Sequence, residues 1–81
     1  MEQTNNTIWI ITNYMGGFIK ACATREKALE EMKEWRENFI KCGLYAEVSE
    51  IDAVYYDHIT FETTDREGNT HTHAARENLV F

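Results

Sequence analysis

His71 and His73 are the side chains in this chain best placed by spacing to share a chemical task. Alternate residues of a strand point to one face, which puts the two imidazoles about 7 Å apart and within reach of a single metal ion. A site needs a third ligand, and Asp57 or His58 could supply it only through a suitable bend of the strands. No Cys or His pair has finger-like spacing, so aromatic packing is the expected role of these histidines, and neither a metal nor a cofactor is assigned. Cys22 and Cys42 are separated by a predicted helix and read as free thiols. Ser49 is the single serine, and no base is spaced to activate it or either cysteine. Glu50 and Asp52 share a strand face, as a carboxylate pair for acid–base work would, but 81 residues hardly build the cleft such chemistry requires. The chain is therefore not expected to be an enzyme.

Those carboxylates belong to a larger group. Glu47, Glu50, Asp52, Asp57, Glu62, Asp65 and Glu67 fall in one stretch against a single base, Arg66, and together account for the whole formal net charge of −6. The stretch also carries Tyr55 and Tyr56 and is preceded by Tyr45, so it reads as a folded acidic surface with aromatic contact groups. Such a surface repels phosphates and anionic membranes. A protein with a basic surface is the expected partner, and direct nucleic-acid or membrane binding is not. The candidate partner-binding residues are Glu47, Glu50, Asp52, Tyr55, Tyr56, Asp57 and Glu62.

The elements that must hold these residues follow from periodicity. A chain of 81 residues with 43% hydrophobic content is a single small globular domain, and a domain of this size buries only about 60% of its unfolded surface. Residues 1–6 read as a loose polar end. No apolar run approaches the roughly 20 residues needed to cross a bilayer, and no basic segment leads into a hydrophobic one, so a soluble cytoplasmic chain is expected. Thr7 to Tyr14 and Phe18 to Ala23 form a hairpin about Gly16-Gly17. Thr24 caps a helix over Arg25 to Cys42, in which Ala28, Leu29, Met32, Trp35, Phe39 and Ile40 recur at helical spacing and which Gly43 ends. Leu44 to Tyr55 supplies a third strand with a bulge or bend near Ser49-Glu50. His58 to Thr64 and Asn69 to Ala75 form a second hairpin about Asp65-Arg66-Glu67-Gly68, a type I turn followed by a left-handed glycine. The predicted fold is α+β: ββαβββ, an antiparallel sheet with one amphipathic helix on one face.

Hairpin registers then assign faces. A two-residue Gly16-Gly17 loop sets Met15 opposite Phe18, Asn13 opposite Lys20, Ile11 opposite Cys22 and Trp9 opposite Thr24. The small Ala21 and Ala23, with Ile8, Ile10, Tyr14 and Ile19, make the face expected to receive Trp35 and Phe39 of the helix. Trp9, Ile11, Met15 and Phe18 are left on the other face, where either the apolar end Leu79-Val80-Phe81 or a second copy would cover them; a homodimer is expected. In the second hairpin, Asp65 pairs with Asn69, Thr63 with His71 and Phe61 with His73, which leaves a threonine ladder with Glu62 on the reverse.

Two functional readings result. In the first, the acidic stretch blocks a basic surface, its carboxylates standing in for phosphates and its tyrosines giving rigid contact area. In the second, two copies enclose a nucleotide or metabolite among Tyr14, Lys20 and Arg25, with Trp9 and Phe18 as stacking groups. A compact acidic ββαβββ domain without proline is similar in texture to the small accessory proteins encoded by phages and mobile elements. That resemblance implies an inhibitor or sequestering adaptor acting on a host factor such as a defence protein, and favours the first reading.

Overall fold

A computed structural model describes residues 7–79, with the side chain of Leu79 left out; the expectations for residues 1–6 and for the apolar end at 79–81 lie outside the described residues. The element order is β1 (Thr7–Thr12), β2 (Phe18–Cys22), α1 (Arg25–Cys42), β3 (Tyr45–Val48), β4 (His58–Asp65) and β5 (Thr70–Leu79). The five strands form one antiparallel sheet in the order β2-β1-β5-β4-β3, with α1 packed on one face. The α+β architecture and the ββαβββ order read from the sequence are both present.

Helix α1 has the bounds its caps dictate. The Thr24 hydroxyl accepts from the Lys27 N–H at 3.2 Å, and Gly43, at φ 70°, turns the chain left-handed while its N–H donates to the Ile40 carbonyl. Ala28 and Met32 are fully buried against the sheet, with Leu29, Trp35 and Phe39 packed beside them.

The face they cover differs from the one expected. Trp9 and Ile11 are 3% and 2% exposed and form the core with Cys22, Ile59, Phe61 and Ala75 under the helix. They are not an interface for a second copy. Ile8, Ile10, Thr12 and Ala21 lie on the far face instead. Two physical causes produce the change. Pairing of β1 with β5 sets Ile11 beside Ala75, which is in turn opposite Ile59, so Ile11 shares the face of β4 and β5 that carries Ile59, Phe61 and Ala75. The reverse of those strands carries Thr60, Glu62, Thr64, Thr70 and Thr72 and cannot bury a helix.

The first hairpin also has a longer loop than Gly16-Gly17 alone. The Asn13 carboxamide oxygen accepts from the N–H groups of Met15 and Gly17, both at 2.9 Å, closing a loop over Asn13 to Gly17 with Gly16 at φ 86°. The register therefore moves so that Trp9 faces Cys22 and Ile11 faces Lys20, with an irregularity between Ile11 and Thr12. Met15 and Phe18, expected on the interface face, project at the hairpin tip and are exposed. The second hairpin uses the same device with Asp65, whose Oδ1 accepts from Glu67 and Asn69 and whose glycine, Gly68, has φ 92°. Its register agrees with the sequence reading at Thr63↔His71, Phe61↔His73 and Glu62↔Thr72.

The choice of face sets a mutational contrast. Trp9→Ala should lower the stability to urea unfolding by about 3–5 kcal/mol, whereas Ile10→Ala on the open face should cost about 1 kcal/mol or less. Equal losses would contradict the placement of the helix.

Candidate functional site

Between β3 and β4 the chain runs as an irregular segment, Ser49 to Asp57, beside the outer edge of β4. Nine residues without a place in a regular strand would ordinarily be mobile. Here nearly every second residue is tied down. Ser49 N–H donates to the Glu62 carbonyl, and the Ser49 hydroxyl accepts from Glu62 N–H, both at 2.8 Å. Asp52 exchanges backbone hydrogen bonds with Thr60 at 2.8 and 3.0 Å, and the Asp57 carbonyl accepts from Glu77 N–H.

Two arginines of α1 complete the attachment. Arg25 Nη2 donates to the Ala53 carbonyl at 2.7 Å and to the Tyr55 carbonyl at 3.1 Å. Arg36 Nε donates to the Ser49 carbonyl at 2.6 Å, and its Nη2 lies 3.5 Å from a Glu50 carboxylate oxygen. These guanidiniums satisfy carbonyls that a strand partner would otherwise satisfy, and their rigid fork suits that task.

What the clamped segment shows to solvent is acidic and apolar together. Glu50, Asp52, Val54, Tyr55, Tyr56 and Asp57 are all exposed, Val54 at 85% and Tyr56 at 79%. The Tyr55 ring stacks on His58 with centroids 4.6 Å apart, and the Asp57 carboxylate meets His58 Nδ1 at 2.9 Å, so an aromatic, an imidazole and a carboxylate are locked in one arrangement.

The other predicted partner-binding residues are divided. Glu47 and Glu62 are exposed on the sheet face away from the helix, near the same edge, opposite Thr64 and Thr72. Tyr45 is half-buried against Phe39 at the far end of β3 and does not frame the segment. Asp65 serves its turn: the N–H groups of Asn69 and Glu67 hold its carboxyl below the usual carboxylate range. The residues proposed for an enclosed ligand are not brought together. Lys20 is bound to Glu31 at 2.8 Å on one flank of the helix, Arg25 is occupied by the loop carbonyls, and Tyr14 lies at the hairpin tip against His71.

His71 and His73 lie on the helix side of β5, as their register requires, and have distinct surroundings. His71 lies tilted against Tyr14, with ring centroids 4.1 Å apart, and its Nε2 is 3.8 Å from Asp65. His73 is buried among Trp35, Phe39 and Phe61, whose ring centroids lie 4.8–5.0 Å away, and shares a 2.9 Å hydrogen bond with the Thr63 hydroxyl. No group of three or more His, Cys, Asp or Glu side chains arranged to hold a metal occurs among the described residues. Cys22 and Cys42 are free thiols.

The chain matches no protein-family model, no curated protein and no solved structure.

Arg25 was expected from the sequence to face an enclosed ligand and instead holds the loop carbonyls, while Arg36 and Val54 were not singled out at all. Arg25 and Arg36 are separated by three turns of helix and carry no motif; only their position on the flank of the core stripe hinted that they point along the sheet edge.

Burial pushes the His73 imidazole down from 6.5 to about 4, with the nearby His71 charge acting in the same sense. Well above pH 6.5 the ring is neutral in both folded and unfolded chains. As pH falls toward 4 the unfolded chain takes up a proton that the folded chain refuses, so stability should drop across that window by about 3 kcal/mol. His73→Phe should flatten the slope of unfolding free energy between pH 6.5 and 4, read by urea titration at each pH; an unchanged slope would contradict the assignment.

Proposed function

We propose that this chain is a protein-interaction module that binds a basic protein surface through the Ser49 to Asp57 segment, acting as an inhibitor or sequestering adaptor. The observation that carries the proposal is the combination, on one clamped segment, of exposed carboxylates with exposed Val54, Tyr55 and Tyr56. Interface energy concentrates in rigid aromatic and apolar anchors, while surrounding charges select the partner and speed the encounter. Pre-ordering of the segment by Arg25 and Arg36 lowers the entropic cost of association, since fewer rotatable groups remain to be immobilised. Glu47 and Glu62 extend the negative field beyond the contact itself. A surface that ordinarily holds nucleic-acid phosphates fits this description, the carboxylates occupying phosphate positions; a host defence factor of that kind is the partner proposed.

The paired arrangement of charge and anchor makes separable demands. Capture of interacting proteins on immobilised full-length chain should yield a basic protein whose retention falls steeply between low and about 0.5 M salt, beyond which surface charges are screened within a few ångströms. The Glu50→Lys, Asp52→Lys, Asp57→Lys variant should lose that protein entirely, and Tyr56→Ala should weaken its binding about tenfold or more at constant salt. Retention of the same protein by the triple variant would refute the acidic-surface reading.

A further inference from the structure

The clamped segment and helix α1 do not close on each other. Between them runs an open groove of about 420 Å³ lined by Leu29, Lys33, Arg36, Glu37, Glu50, Ile51 and Ala53. Leu29, Ile51 and Ala53 pack against the core yet remain only partly buried, so the floor is apolar and wet. Both walls are held apart by fixed contacts, Arg36 to Ser49 at one end and Arg25 to Ala53 at the other. The groove is preformed, and its volume falls in the range that accepts a small ligand or a large side chain, about 300–1,000 Å³.

We infer that this groove takes one apolar side chain of the partner, presented in a short segment whose flanking residues are lysine or arginine. The inference rests on the interaction surface proposed above and specifies the chemistry that fits it. Charge at the rim selects the flanks. The Glu50 side chain is 94% exposed and the Glu37 side chain 57%, while Asp52 is exposed just beyond. Arg36, the more buried of the groove cations, is already engaged by the Ser49 carbonyl, Glu50 and Glu37 and has little attraction left for an incoming anion. Lys33 is the remaining cation on the lining, and it opposes a basic flank. An acidic segment would meet the exposed carboxylates of Glu50 and Glu37 with Lys33 alone to offset them, which is the repulsive half of the selection. The apolar floor supplies the attraction, since filling the groove removes Leu29, Ile51 and the partner side chain from water together.

The test is selection from a displayed library of random peptides against the folded full-length chain, followed by binding measurements on the recovered peptides with Lys33→Glu and Ala53→Leu. Thermal melting establishes that each variant is folded, and sedimentation at the same concentrations records self-association. The expected result is enrichment of peptides with a large apolar residue flanked by Lys or Arg. Lys33→Glu should tighten their binding severalfold, and Ala53→Leu, which fills the groove, should weaken it about tenfold or more. Basic peptides with no shared apolar residue, or with affinity indifferent to both variants, would overturn the groove while leaving the acidic surface standing. Failure to enrich basic peptides would overturn both. A chain that self-associates, loses that association in Ala53→Leu and binds no peptide would assign the groove to a second copy and overturn the inference.

Discussion

The packing of α1 on the Trp9, Ile11, Ile59 and Phe61 face is the constraint on which the remaining structure depends. The described residues of this small domain supply one helix with which to bury one face of the sheet, so choosing the face decides what every other surface becomes. Ala28 and Met32 make the closest approach, and their complete burial sets the helix across the sheet so that Arg25 and Arg36 reach toward the β4 edge. The same placement buries His73 among aromatic rings and leaves the threonine-rich reverse of β4 and β5 in water.

From that geometry the edge follows. Strand β3 is short, is bent out of register between Tyr45 and Glu47, and gives way to a segment bearing Glu50 and Asp52, features that prevent another strand from adding to the sheet. Edge protection alone accounts for carboxylates there. It does not account for Val54, Tyr55 and Tyr56, since an edge kept free of partners gains nothing from exposed aromatic and apolar side chains on a fixed scaffold. The apolar groups beside the charges are what support the proposal that this edge binds a partner.

Much of this was legible in the sequence where local rules suffice. Thr24 and Gly43 bounded the helix, and Asp65 with Gly68 determined the second hairpin down to the pairing of Phe61 with His73. The third strand, in contrast, was expected to run from Leu44 to Tyr55 with a bulge or bend near Ser49-Glu50, and it ends at Val48: the change of apolar phase there marks the end of the strand and not an irregularity within it. The helix-bearing face was not legible from the first hairpin, because Ile8 and Ile10 on one side balance Trp9 and Ile11 on the other. Only the non-local pairing of β1 with β5, which carries Ile11 to Ala75, breaks the tie. Asn13 was overlooked for a similar reason: two adjacent glycines suggest the tightest loop, yet a carboxamide able to accept from Met15 and Gly17 stabilises a longer one. The acidic surface was visible as composition, whereas its rigidity arises from arginines distant in sequence and could be found only in three dimensions.

Pre-ordering of the Ser49 to Asp57 segment by those arginines is the central claim, and backbone ¹⁵N relaxation tests it most directly. The account predicts order parameters for Ile51 to Tyr55 near the rigid-backbone value of about 0.85, matching β4, and a fall below about 0.6 in Arg25→Gln, Arg36→Gln with the sheet unaffected. Low order parameters in the unmutated chain, or no change on removing both guanidiniums, would contradict it.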